Sequence, residues 1–209
     1  MGYEVIKLPP FSRLAPGVST HADMLMLFYK DTVVTHSAYY AENKNTFDLL
    51  GVKIVLSDEQ MNAVYPFDIL FNSVLTNEGV LFSNSKYTSE HIKNAAKRIV
   101  DVKQGYTACS TCRIDPAAFI TSDIGLYRAY TENGIDSILV EKTGISLPGY
   151  DCGFIGGATV VLPEGVCFFG NAIMYPDFKK VSCFAEKYGK KIISLSDEKL
   201  TDIGGAVVL

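Results

Sequence analysis

Lys103 to Arg113 is the stretch where residue type argues for chemistry. Small, polar and thiol-bearing side chains (Cys109, Ser110, Thr111, Cys112) follow Val100 and Val102 and precede a strand-turn-strand pattern turning at Asp115-Pro116. A strand built this way forgoes apolar burial, so another benefit is expected there, although cysteine also packs as a small hydrophobe. A thiol reacts as its thiolate and needs a cation or base beside it. Cys109 and Cys112 form a lone Cys-x-x-Cys. Zinc would need two further ligands, which no second pair or nearby histidine supplies. A thioredoxin-like site would place the first cysteine at a helix start, whereas this pair reads as strand. The second candidate is His21-Ala22-Asp23, ahead of Met24-Leu-Met-Leu-Phe28. On a strand, His21 and Asp23 would share a face ~7 Å apart, at an end opening into a cleft or into solvent. The glycine pairs 156–157 and 204–205 read as close backbone approaches rather than phosphate cradles. His36 and His91 have no evident partner and read as surface residues.

The elements that must position these residues come from an ordinary globular composition. The 209 residues are 48% hydrophobic and 20% charged, with net charge −4. That balance argues against nucleic acid or an anionic membrane as partner, and it tolerates a small cationic molecule. The N-terminus lacks the basic start and apolar core of an export signal, and no apolar run is long enough to span a bilayer. Five cysteines in such a chain read as reduced thiols, and the expected location is cytoplasmic. No metal or cofactor is expected.

Apolar runs flank tight turns at Lys30-Asp31, Asn77-Glu78-Gly79, Asp115-Pro116 and Pro163-Glu164-Gly165. They predict hairpins of Met24–Tyr29 with Thr32–Thr35, Ile69–Thr76 with Val80–Ser83, Ala108–Ile114 with Ala117–Thr121, and Ala158–Leu162 with Val166–Phe169. A helical stretch follows each: Ser37–Leu50, Ser89–Arg98, Asp123–Asn133 and Asp177–Tyr188, with Ser or Asp at the starts and Gly after three of the ends. A short β-branched run comes next: Val52–Leu56, Ile99–Lys103, Ser137–Val140 and Lys191–Leu195. The unit is strand, strand, helix, strand, roughly 45 residues long and seen four times. Ile203-Gly-Gly-Ala206 echoes Ile155-Gly-Gly-Ala158. A fifth unit is therefore expected to be split across the termini, with Gly204–Leu209 as its first strand and Tyr3–Leu8 as its last. One α/β domain over residues 1–209 follows, with five-fold pseudo-symmetry, a central channel and adjacent termini.

Five ββαβ units in a ring resemble the pentein fold, the α/β-propeller of the guanidino-group-modifying enzymes, among them arginine and agmatine deiminases and amidinotransferases. His21-Ala-Asp-Met24, Gln104-Gly-Tyr-Thr-Ala-Cys-Ser110, Gly153-Phe-Ile-Gly-Gly-Ala158 and Asp202-Ile-Gly-Gly205 resemble an uncharacterised bacterial branch of that fold. In the catalytic families a His-x-Asp lies on a first strand and the nucleophilic cysteine two units later, the order of His21, Asp23 and Cys109 here. The resemblance implies Cys109 as nucleophile, His21 as proton shuttle and Asp23 as acceptor of paired N–H bonds from a guanidinium or amidine. Asp68, Asn72, Gln104 and Cys112 complete the expected substrate-binding set. The implied reaction is hydrolysis or transfer at a C–N bond of a guanidine- or amidine-like molecule. The families' Glu-Gly-Gly-Asp motif corresponds to Ile203-Gly204-Gly205-Ala206, where both carboxylates are absent. That departure points away from free arginine as substrate, and it motivates the alternative of a non-catalytic binding or structural protein, as the ribosome-binding anti-association factor of this fold is.

Overall fold

The turns and crossover helices legible in the sequence build four separate three-stranded sheets in the computed structural model, which describes residues 2–209. A single helical turn, α1 (Ala22–Leu25), leads into β1 (Met26–Tyr29) and β2 (Thr32–His36). Helices α2 (Ser37–Glu42) and α3 (Lys44–Asp48) then return the chain to β3 (Lys53–Ser57). The second sheet is β4 (Val74–Leu75), β5 (Val80–Ser83) and, after α4 (Glu90–Ala95), β6 (Arg98–Asp101). The third is β7 (Thr111–Asp115), β8 (Ala118–Thr121) and, after α5 (Ile124–Glu132), β9 (Asp136–Leu139). The fourth is β10 (Thr159–Leu162), β11 (Gly165–Phe168) and, after α6 (Phe178–Lys187), β12 (Lys191–Ser194). In every sheet the first two strands are antiparallel, and the helical crossover makes the third parallel to the second. That pairing follows from connection length, since a tight turn reverses the chain and a helix restores its direction.

Three local readings are corrected. The predicted helix over 37–50 breaks at Asn43, whose side-chain amide donates to the Tyr39 carbonyl at 3.0 Å and competes with helix continuation. His36 is not a surface residue. It is 3% exposed at the end of β2, where its Nδ1 accepts the Ala38 N–H at 3.0 Å and caps α2. The fifth sheet is not formed: residues 3–8 and 203–209 join no ladder. Gly204 and Gly205 hold φ of +80° and +65°, a left-handed conformation that no strand contains.

The second strands are largely buried. β8 and β11 are buried along their whole length. Each fully buried Phe, Ile or Val there contributes roughly 1.5–3 kcal/mol by leaving water. The first strands instead face a common cavity of about 490 Å³, lined by Leu27, Val74, Ile114, Val160 and, from the C-terminal segment, Val207. At one end of that cavity the segments entering the sheets are tied together by hydrogen bonds. Asn72 Nδ2 donates to Asp23 O (3.1 Å), Asp23 N to Gly204 O (3.2 Å), Gly205 N to Gly157 O (2.9 Å), Gly157 N to Cys109 O (3.2 Å), and Cys109 N back to Asn72 Oδ1 (3.2 Å). The bonds form a closed circuit of five segments, four of which lead into β1, β4, β7 and β10.

Candidate functional site

The circuit ties Asp23, Asn72 and Cys109 together, with Asp23 lining the cavity. His21 and Asp23 stand at a helical turn, not on a strand. His21 O accepts the N–H groups of Met24 (3.1 Å) and Leu25 (3.0 Å), with His21 at the N-cap position of α1. Residues two apart on a helical turn point in different directions, so the expected shared strand face is not present. Asp23 lines the cavity, and His21 turns toward Asp202.

Cys109 ends a turn in which Ser110 N bonds Tyr106 O and Thr111 N bonds Ala108 O, just before β7. It is 3% exposed. Asn72 fixes it from three sides: Oδ1 accepts the N–H groups of Ala108 (2.8 Å) and Cys109 (3.2 Å), and Nδ2 donates to Cys109 Sγ at 2.9 Å. The same Nδ2 holds Asp23 O, so one amide sets the Cys109 turn against the Asp23 turn.

Asp202 is the carboxylate that the sequence reading missed. It is 2% exposed, and its Oδ1 lies 3.7 Å from His21 Nδ1. Phe154 N donates to its Oδ2 at 2.8 Å and Gly204 N to its Oδ1 at 2.9 Å. Glycines make the room. A Cβ on Gly157 would stand 1.9 Å from Asp202 Oδ1, and one on Gly204 would stand 2.2 Å from the His21 Cβ. The double-glycine motif thus does carry an acid, one residue ahead of Ile203. Its place in the run Asp202-Ile-Gly-Gly205 was the available signal.

Electrostatics in this enclosure run against a resting thiolate. Burial, then the charges of Asp23 and Asp202, push the Cys109 thiol well above its ordinary range, with the Asn72 amide pulling the other way. Burial and the Asp202 charge push Asp23 up to about 7. Its two carboxylate oxygens are buried and meet no donor in hydrogen-bonding geometry, although the Cys109 thiol is close enough to act on them. Burial lowers the proton affinity of His21 against the pull of Asp202. His21 lies against Asp202 and burial lowers its proton affinity, and the charges acting on the sulfur are those of Asp23 and Asp202.

Asp68 is 6% exposed and raised by burial. Its Oδ2 accepts the Tyr106 hydroxyl at 2.7 Å, and its Oδ1 is buried without a partner. Tyr106 belongs to the Cys109 turn, its carbonyl accepting the Ser110 N–H at 3.0 Å, which sets Asp68 on the flank of the same site. Of the remaining expected substrate contacts, Gln104 is engaged within the protein and Cys112 borders the Asp23 cavity. Gln104 bridges the Asp123 carboxylate (2.9 Å) and the Tyr106 N–H (3.0 Å), beside a second cavity of about 470 Å³. Cys112 sits on β7, 2% exposed and packed in the core cluster with Ile114 and Ile155, and it lines the same cavity as Asp23. No group of three or more candidate metal ligands occurs among the described residues.

Known proteins resemble this arrangement at the level of fold. C. jejuni agmatine deiminase superposes with a TM-score of 0.51 at 10% identity, covering 79% of this chain and 62% of its own. An amidinotransferase from Microseira wollei in the saxitoxin biosynthetic pathway gives 0.49 at 12% identity, covering 85% and 64%. The inosamine-phosphate amidinotransferase of Streptomyces griseus gives 0.49 at 11%, covering 87% and 63%. The chain spans less than two thirds of the length of each of these enzymes. No curated protein matches the sequence. Residues 1–207 match the family of unknown function DUF6873, and the chain belongs to that family.

Proposed function

We propose that this chain is a single-domain pentein-like α/β-propeller that binds a small guanidine- or amidine-like cation and acts on its C–N bond through Cys109. The closed hydrogen-bond circuit supports the five-fold reading, with residues 203–209 as the inner segment of a unit split across the termini. The observation that carries the functional reading is Asp23, which presents two buried, unpartnered carboxylate oxygens beside the Cys109 thiol. A buried carboxylate without donors is costly, and a planar cation with paired N–H groups satisfies both oxygens at once. Its positive charge would also stabilise the adjacent thiolate, so the ligand supplies the activation that the free site lacks.

The Cys109 sulfur adds to the carbon between the nitrogens, and its proton passes to His21. The carbon–nitrogen bond then breaks as His21 returns that proton to the departing amine. Water attacks the resulting thioester-like adduct, gives a proton to His21 and releases the thiol; a second amine in place of water gives transfer. Asp202 positions His21.

Chloroacetamidine and chloroacetamide test the reading, because they differ in charge and share the alkylating carbon. Mass mapping should show Cys109 modified at least tenfold faster by the amidine, with that preference lost in Asp23→Asn. Equal rates with both reagents, no faster than at the exposed Cys183, would favour the second reading: a binding protein without catalysis. The raised and tightly held Cys109 thiol is the observation on that side.

A further inference from the structure

Aromatic rings from separate loops gather on the flank of the site where Tyr106 and Asp68 meet. Tyr106 lies 5.6 Å from Tyr65 and 5.8 Å from Phe154, ring centre to ring centre. Two of these residues are bonded to the buried acids. The Tyr106 hydroxyl is bound to Asp68, the Phe154 N–H to Asp202, and Tyr65 stands three residues before Asp68. Gly105 lets Tyr65 lie directly on the backbone, since a Cβ there would come within 2.7 Å of the Tyr65 ring and 2.8 Å of Ile69. A cluster serving only the core would be covered, yet Tyr65 is 49% exposed. Asp68 Oδ1, on the carboxylate that accepts the Tyr106 hydroxyl, is buried without a partner.

From this juxtaposition we infer that the substrate is an aryl-substituted amidine or guanidine, its cationic head between Asp23 and Asp68 and its ring stacked on Tyr65, Tyr106 and Phe154. The inference deepens the cation reading and rests on it. A planar apolar substituent gains ring–ring contact that an alkyl chain does not, and the adjacent cation gains from the ring faces.

Calorimetric titration with benzamidine and phenylguanidine against acetamidine and methylguanidine tests it, on the wild type and on Tyr65→Ala, Tyr65→Phe and Asp23→Asn. The aryl cations should bind about tenfold more tightly than the alkyl ones. The gap should collapse in Tyr65→Ala and return in Tyr65→Phe, which separates ring contact from misfolding. Equal affinity of aryl and alkyl cations, or a gap that survives Tyr65→Ala, would overturn the aromatic specificity alone. Neutral benzamide binding as well as benzamidine, or cation affinity unchanged in Asp23→Asn, would overturn the cation reading instead. Absence of binding by all four probes at millimolar concentration would overturn both.

Discussion

Cys109 and Asp23 show how two residues legible by type acquire their chemistry from what surrounds them. With burial and two carboxylates acting on the sulfur, alkylation of Cys109 by neutral iodoacetamide should rise with pH through a midpoint well above that of an ordinary thiol. Asp23→Asn removes one charge beside the sulfur and should shift that midpoint downward. Peptide mapping over a pH series measures it, with the exposed Cys183 as internal reference. A Cys109 profile that coincides with that of Cys183 would contradict the burial argument. Asn72 belongs to the same scale. Asn72→Leu strands the buried N–H groups of Ala108 and Cys109 and should cost about 2–4 kcal/mol in denaturant unfolding, since an unmade buried bond carries its full desolvation penalty. A loss below about 0.5 kcal/mol would mean that the turn holds itself.

At the scale of elements, two kinds of glycine separate. Gly134 follows α5 at φ +79° with open space where a Cβ would stand, and Gly204 combines φ +80° with a contact of 2.2 Å to the His21 Cβ. Gly134→Ala should therefore cost roughly 1 kcal/mol, the left-handed penalty alone. Gly204→Ala should cost clearly more and displace His21, which chemical denaturation and the His21 NMR titration would both report. Similar costs at the two positions would remove the close-approach role of the double glycine. Gln104, expected at the substrate, works at this scale too. It orients Asp123, whose Oδ1 caps α5 by accepting the Leu126 N–H at 2.9 Å.

For the whole molecule, the buried acids set the response to pH. Asp23 titrates near 3.8 when unfolded and is pushed up to about 7 in the fold. The folded state thus holds this proton more tightly, so the contribution of Asp23 to stability is fullest below about pH 4 and falls as pH rises toward about 7. Asp23→Asn escapes that loss and should exceed the wild type by on the order of 2–4 kcal/mol above about pH 7, with little difference near pH 4. Thermal or denaturant unfolding at both pH values checks the sign; a variant less stable than wild type at about pH 8 would show Asp23 partnered after all. Among the described residues, no helix is long and apolar enough to cross a membrane.

The sequence by itself determined the four strand-strand-helix-strand units, because each is written in contacts a few residues apart: turn residues, caps and β-branched runs. His21, Asp23 and Cys109 were legible for the same reason, as polar or thiol residues where the local pattern calls for apolar ones. Only the tertiary structure decided what surrounds each of them. Asp202 reaches His21 across nearly the whole chain, through two glycines whose missing side chains make the room. The helical turn at Ala22–Leu25 turned His21 and Asp23 apart where strand alternation would have aligned them. The left-handed Gly204 and Gly205 ended the fifth strand before it could begin. The acidity of Asp23 and Cys109 was likewise unwritten in any segment, since it arises from burial and from charges brought together by the closed circuit, and both are properties of the assembled fold.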